Sequence, residues 1–252
     1  MGIIGGTLGY QLLRRIAPRS ASDAHAPDPS EADTKLSLYF GPDFFSTIAG
    51  QTVLDFGCGR GGPAVEMAQR GAGKVIGLDI QERLLEICRV KAQRAGVSDR
   101  CVFTTQATEL ADIVISKDAF EHFDDPAAIL RIMATLLKPD GYVLAAFGPT
   151  WLHPHGGHIF SVFPWSHLIF SEQALIRWRA DFKTDGATRF REVAGGLNQL
   201  TIAQFERIVA DSPFQIEWLD TLPIRGIPLL KTRLLRELGS SIVRCKLTLK
   251  PH

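Results

Sequence analysis

The chain of 252 residues has little of what marks several broad classes of protein. Its four cysteines show no C-x-x-C pair and no disulfide-like spacing, which predicts reduced thiols. No apolar run approaches the length of a membrane span. With 28 Lys and Arg against 27 Asp and Glu, the chain has no overall charge that would attract nucleic acid or anionic lipid.

The first residues also lack targeting signals. Position 6 is glycine, where a myristoylation signal needs Ser or Thr, and no basic region precedes a long apolar stretch. We therefore expect a cytoplasmic protein. A basic excess after Thr221 and a leading helix with Leu8, Leu12, Leu13 and Ile16 on one face leave peripheral contact with a membrane or an acidic partner open.

Composition divides the chain into two parts. Residues 1–34 predict a short helix followed by a linker rich in Ala, Pro, Ser and Asp. Residues 35–252 predict one α/β domain in which about 149–196 form a cap inserted after the fifth strand. Residues 242–249 alternate apolar and polar side chains, which predicts a half-exposed antiparallel strand.

The most informative feature is a glycine-rich turn. An apolar run ends at Asp55, and glycines follow at alternate positions, Gly57, Gly59 and Gly61. Pro63 then stands at the start of a predicted helix. Because glycine has no Cβ, the backbone of such a turn can approach a ligand closely. Strand, glycine turn and helix together predict a nucleotide-type site at the carboxyl ends of parallel strands.

Two cofactor classes fit this turn. The glycines match G-x-G-x-x-G, so a NAD-dependent oxidoreductase stays open. However, the acid two residues before the first glycine and the alternate spacing resemble motif I of class I S-adenosylmethionine-dependent methyltransferases. In that case loop N–H groups can hold the methionine carboxylate, and Asp55 can hold the ammonium. A second predicted strand ends at Asp79, where a carboxylate accepts ribose hydroxyls from either cofactor.

Two further strings carry the family resemblance. Residues 111–123 read A-D-I-V-I-S-K-D-A-F-E-H-F, and residues 136–143 read L-L-K-P-D-G-Y-V. Both resemble the methyltransferase type 11 group, which includes ubiquinone and menaquinone methyltransferases, and the resemblance covers about residues 36–149. It implies a Rossmann-like, doubly wound, mostly parallel sheet with an antiparallel C-terminal strand. It also implies S-adenosyl-L-methionine as the cofactor.

The resemblance assigns the cofactor site residue by residue. Gln106 stands where the family usually has an aspartate, and its amide oxygen can still accept a hydrogen bond from the adenine amino group. The full set of expected cofactor-binding residues is Asp55, Gly57, Cys58, Gly59, Gly61, Asp79, Ile80, Gln106, Ala107 and Lys117.

His122 is the candidate catalytic residue, because the turn after the fourth strand lies beside the methyl donor in this fold. A general base is needed only when the acceptor arrives protonated with a high pKa. The alternative is a histidine that only braces the turn. The A-F-E-H-F string also resembles cyclopropane fatty-acid synthases, where Glu and His help to hold a bicarbonate base, so lipid alkylation is a further alternative.

The predicted cap carries His153, His155 and His158 close together in sequence. No Cys, Asp or Glu lies nearby and the spacing is not a standard one, so we expect no metal. A loop that contacts substrate and ordinary loop histidines both stay open. Its aromatic residues predict a small core rather than a substrate cage. Tyr39 and Phe40, near the start of the domain, either close over the cofactor or pack on the sheet, and Tyr39 is a candidate substrate contact.

The sequence therefore predicts a methyltransferase that acts on a small molecule and not on nucleic acid. A NAD-dependent oxidoreductase and a non-catalytic cofactor-binding protein of the same fold stay open. The acceptor, the atom that is methylated and the oligomeric state do not follow from the sequence.

Overall fold

The computed structural model describes residues 2–17, 35–193 and 195–251. The predicted linker, apart from Ala17, lies outside these residues. Within these residues, seven strands form one sheet in the order β3-β2-β1-β4-β5-β7-β6. Their bounds are β1 Thr52–Phe56, β2 Lys74–Leu78, β3 Cys101–Thr104, β4 Ala111–Lys117, β5 Leu137–Phe147, β6 Phe214–Pro223 and β7 Ser240–Leu249.

Strands β1 to β5 pair in parallel, and β7 runs antiparallel to both β5 and β6. This confirms the predicted fold class, a doubly wound sheet with an antiparallel C-terminal strand. Strand β7 begins two residues earlier than predicted, because its pairing with β6 continues to Pro223 opposite Ser240. The order reverses between β1 and β4, and ligands of open α/β sheets bind at such a switch point.

Ten α-helices are present among the described residues. They are α1 Gly6–Ile16, α2 Leu36–Phe40, α3 Phe44–Thr47, α4 Gly62–Gln69, α5 Glu82–Arg94, α6 Pro126–Thr135, α7 Ser166–Ile169, α8 Glu172–Arg179, α9 Ile202–Ala210 and α10 Arg236–Gly239. Side-chain caps fix several starts: Asp125 accepts from the Ala128 N–H at 2.9 Å, and Thr201 and Gln204 form a capping box. None of these helices is long and apolar enough to cross a membrane.

The core has a cluster on each face of the sheet, because successive strand residues point to opposite sides. Leu54 of β1 lies in one cluster and its neighbour Val53 in the other, and both are fully buried. Helices α4 and α5 cover the second cluster, and α6 and α9 cover the first. Because β1, β2 and β4 are adjacent and parallel, their carboxyl ends lie side by side at the same end of the sheet.

A third cluster joins α1 to the cap. Leu13 is fully buried, and the Tyr10 hydroxyl donates to Asp181 at 3.0 Å just beyond α8. Leu8 and Ile16, placed on the predicted apolar face, are 69% and 54% exposed. Helix α1 therefore packs on the cap through Tyr10 and Leu13 rather than through the whole predicted stripe.

Candidate active site

The glycine turn follows β1 directly. Gly57, Gly59 and Gly61 have φ values of 81°, 53° and 73°, which favour glycine over every other residue. A Cβ on Gly61 would lie 2.7 Å from the Sγ of Cys88, whereas a Cβ on Gly59 would meet nothing within 4 Å. Gly61 is thus required by packing against α5, while a side chain at position 59 would meet open space.

Several N–H groups of the turn donate to acceptors within the protein. Those of Gly57 and Cys58 donate to the Leu78 carbonyl at 2.8 and 3.0 Å, and that of Gly59 donates to Asp79 Oδ2 at 2.9 Å. These three amides are therefore not the anion donors that the sequence suggested. The turn instead provides backbone without side chains and open space at Gly59. The charged groups near it are the side chains of Asp55 and Lys117.

Asp79 ties the end of β2 to the glycine turn. Besides Gly59, its Oδ1 accepts from the Gln81 N–H at 2.9 Å. Each carboxylate oxygen has a second lone pair, so Asp79 can still accept two ribose hydroxyls. Ile80 follows and is 92% exposed, so an adenosine against Asp79 would cover its apolar surface.

Asp55 supplies an unsatisfied carboxylate beneath the turn. It is 2% exposed, and its Oδ2 is buried without a hydrogen-bond partner. Burial raises the pKa of Asp55 to about 7, although Lys117 opposes the shift and Asp79 adds to it. A buried carboxylate oxygen without a partner is suited to a cationic ligand group.

Lys117 is the nearby positive charge. It ends β4, forms an ion pair with Asp118, and its Nζ lies 5.4 Å from the centre of the Tyr39 ring. Burial, with the charges of Asp118 and Glu121, raises the pKa of Tyr39 to about 12. Asp55 and Lys117 thus provide opposite charges near the turn, and the Tyr39 ring lies beside Lys117.

Gln106 and Ala107 follow β3. The Gln106 backbone is fixed by Thr104, whose hydroxyl accepts the Gln106 N–H at 3.1 Å and donates to its carbonyl. The Gln106 side chain is exposed, and Ala107 packs against the core. The pair borders the same sheet edge as Asp79, on the next strand outward.

The turn after β4 carries a buried carboxylate, Glu121. It is 3% exposed; its Oε1 accepts from the Gly148 N–H at 3.0 Å, and its Oε2 has no partner. Burial raises the pKa of Glu121 to about 8. Asn198, which follows the cap in the chain, fixes this turn by donating to the Phe120 and Phe123 carbonyls at 2.6 and 2.8 Å.

His122 and His158 are brought together by the fold. Their ring centres lie 5.2 Å apart, and the Nδ1 of His122 is 2.9 Å from the Gly196 carbonyl oxygen. Burial lowers the pKa of His158 to about 4, with a further contribution from His122. The candidate base therefore meets a cap histidine, and Glu121 lies beside both.

The other two histidines of the three-histidine loop, His153 and His155, lie apart from this pair. His153 is buried and its Nδ1 accepts the His155 N–H at 3.0 Å, while the His155 side chain is exposed. Several aromatic residues of the cap form a core, as predicted: Phe190 packs against both Trp151 and Phe160. Phe163 and Trp165 stay exposed. The three-histidine loop is thus split between two locations.

Sequence reasoning did not select Glu121 or Asn198 as site residues. The burial of Glu121 depends on β5 and the cap, which are far from it in sequence. Asn198 stands in an irregular segment with no periodicity, so no local signal marked it. The A-F-E-H-F string was the one available pointer to Glu121.

Comparisons with known proteins agree on one kind of domain. A family model described as a methyltransferase domain matches residues 48–151. The ubiquinone biosynthesis O-methyltransferase of Neisseria meningitidis serogroup C is 41% identical over 108 residues, which are 40% of this chain and 45% of that protein. The chain thus spans about half the length of this curated relative.

Solved structures share the fold. Magnesium protoporphyrin IX methyltransferase from Synechocystis PCC 6803, with bound SAH, superimposes with a TM-score of 0.50 at 19% identity, covering 81% of this chain and 77% of that one. An S-adenosylmethionine-dependent methyltransferase from Mesorhizobium loti gives 0.50 at 18%, covering 79% and 91%. At these identities the likeness is one of fold.

Proposed function

We propose, from the premise that this chain carries a class I S-adenosylmethionine-dependent methyltransferase domain, that it transfers a methyl group from that cofactor to a small-molecule acceptor. The observation that carries the proposal is the glycine turn. It combines open space at Gly59, an unpaired buried Asp55 and a strand-end Asp79 with free lone pairs. These groups fit an adenosyl amino acid, which offers an ammonium, a carboxylate and a ribose diol.

Each part of the cofactor has a counterpart on the chain. Asp55 holds the ammonium, and Lys117 can balance the carboxylate, since the amides of Gly57, Cys58 and Gly59 are already bonded. Asp79 accepts the ribose hydroxyls, with Ile80 beneath the sugar. Gln106 and Ala107 border the adenine. Gly57, Cys58, Gly59 and Gly61 supply the backbone wall along which the ligand lies.

S-adenosylmethionine, when bound, supplies a methyl group already activated on a sulfonium. The task of the chain is therefore to hold the acceptor in line with it, and positioning of this kind supplies roughly 7–11 kcal/mol of a barrier. We place the acceptor between the turn after β4, which carries His122, and the cap. Tyr39 and His158 border this space, while the exposed His155 and the buried His153 lie farther along the cap loop.

Isothermal titration calorimetry with S-adenosylhomocysteine and NADH tests the cofactor assignment. We expect micromolar binding of the former and tighter binding than of NADH. Asp79→Ala should weaken binding of S-adenosylhomocysteine by roughly 2–4 kcal/mol, because hydrogen bonds to a charged acceptor are lost. Glu109→Ala, which removes a surface ion pair with Lys74, is the matched control and should bind as the parent does.

Preference for NADH would refute the cofactor assignment, and unchanged binding by the Asp79 variant would refute the placement of the ribose. Release of S-adenosylhomocysteine from S-adenosylmethionine in the presence of phenol, catechol and amine acceptors separates an enzyme from a protein that only binds. Turnover that depends on one acceptor class supports the proposal. Cofactor binding without turnover on any acceptor favours the non-catalytic alternative.

A further inference from the structure

We propose that Glu121, His122 and His158 form a binding site for a divalent transition-metal ion of the zinc type. One ligand atom from each side chain lies within 4.8 Å of the other two. Glu121 and His122 are neighbours in the turn after β4, whereas His158 comes from the cap. The site therefore bridges the sheet and the cap where we place the acceptor.

Unpartnered atoms point to a missing cation. Glu121 Oε2 and His158 Nε2 are both buried without a hydrogen-bond partner. Native proteins seldom leave such atoms unsatisfied, because burying a polar atom without a partner is costly. A bound cation would satisfy both atoms at once, since each offers a lone pair.

The surrounding hydrogen bonds orient the ligands. The Gly196 carbonyl can only accept, so the 2.9 Å contact requires that Nδ1 of His122 carries the proton, which leaves Nε2 with its lone pair. Metal-binding histidines commonly donate their second ring N–H to a carbonyl in this way. The Gly148 N–H holds Oε1 of Glu121 at 3.0 Å and so fixes the carboxylate.

The donor set selects the kind of ion. Two imidazoles and one carboxylate are a zinc set that keeps positions open for a further ligand, and imidazole favours zinc or iron over magnesium or calcium. This departs from the expectation of no metal, which considered only acids near the three histidines in sequence. Glu121 is brought to His158 by the fold and not by spacing.

A role in catalysis follows if the proposed function holds, and this step rests on it. An acceptor hydroxyl bound to the ion would lose its proton to solvent, because a cation stabilises the oxyanion. The oxygen then forms the bond to the methyl carbon, and the sulfur keeps the electron pair of the broken S–C bond. His122 would act as a ligand in place of the base predicted from the sequence.

Metal binding can be measured without any acceptor. The protein, stripped with a chelator and dialysed, is titrated with Zn²⁺ in a competing indicator and with Co²⁺ by visible absorption. We expect one ion per chain. His158→Ala and Glu121→Gln should each weaken Zn²⁺ binding at least about 100-fold, since each removes a ligand rather than an orienting group. His153→Ala is the matched control, because His153 is a buried histidine of the same loop with an unpartnered Nε2.

The far-UV circular dichroism spectrum and the melting temperature report whether each variant is folded, and the half-buried His158 gives a second test if the Glu121 variant does not fold. Loss of Zn²⁺ binding in a folded His158 variant, with binding by the His153 control unchanged, supports the site. Absence of stoichiometric binding in the parent would overturn it, as would equal loss in the His153 variant. Neither result would touch the proposed cofactor, so the two proposals fail separately.

Discussion

The sheet half of the site and the cap half are built in different ways. In the sheet half, the groups expected to hold the cofactor lie at the ends of strands and close to one another in the chain, as Asp55, Gly59 and Asp79 do. In the cap half, the contacts join segments far apart: Asn198 reaches carbonyls 78 and 75 positions away, and His158 meets His122. Local sequence therefore describes the first half and says little about the second.

Within the sheet half, substitutions in the glycine turn should change the free energy of unfolding most. Gly61→Ala should lower the free energy of unfolding by roughly 2–5 kcal/mol, because a Cβ there meets Cys88 and the backbone has a left-handed φ. Gly59→Ala has the same kind of φ but open space, so it should lose only about 1–2 kcal/mol. Urea denaturation of both variants measures the difference.

Equal losses in the two variants would show that the turn is not packed against α5 as described. The Gly59 variant serves a second purpose, because its methyl group would project into the ligand side. It should bind S-adenosylhomocysteine more weakly than its stability alone explains. If this variant binds S-adenosylhomocysteine as the parent does, the ligand does not lie against Gly59.

A smaller effect is expected for the pH dependence of cofactor binding, which reports the ionisation of Asp55. Its folded-state pKa is raised from 3.8 to about 7, so the ligand-free chain holds this proton up to near-neutral pH. An ammonium prefers the carboxylate, and binding below that pKa must release the proton. Affinity for S-adenosylhomocysteine should therefore rise with pH by up to about tenfold per unit and level off above pH 7.

The same shift has the opposite sign for the stability of the ligand-free chain. A raised carboxyl pKa means that the folded state binds more protons, so the contribution of Asp55 to stability falls as pH rises from about 4 to about 7. Lys117 and Asp79 are the charged groups that act on it. Asp55→Asn should flatten the binding profile; an unchanged profile in that variant would assign the titration to another group.

Much of the fold could be predicted, since helix caps and strand patterns are local. Asp125 and Thr201 are residue types that favour helix N-caps, and both cap their helices. The last strand alternates as expected. The buried face of α1 was less predictable from the sequence. Tyr10 and Leu13 are buried because they contact the cap, and the helical spacing of apolar residues does not identify that contact. Glu121 could not be recognised as buried and unpaired without knowing what covers it.

The same contrast explains why the sequence predicted no metal site. The prediction considered only whether His153, His155 and His158 could bind one ion together, and these three side chains do not meet at one point in the structure. The fold instead pairs one of them with a turn on β4. Residues that act together in the cap half are thus identified by tertiary contacts, and those in the sheet half by motif.

Hydrogen–deuterium exchange with and without S-adenosylhomocysteine tests the division of the site most directly. Ligand should slow exchange in peptides covering 57–62 and 79–82, where the turn and the end of β2 meet it. Peptides covering α8 of the cap, Glu172–Arg179, should exchange as before, because that helix packs on α1 and not on the turn. Protection confined to the cap, with the glycine turn unchanged, would contradict the account.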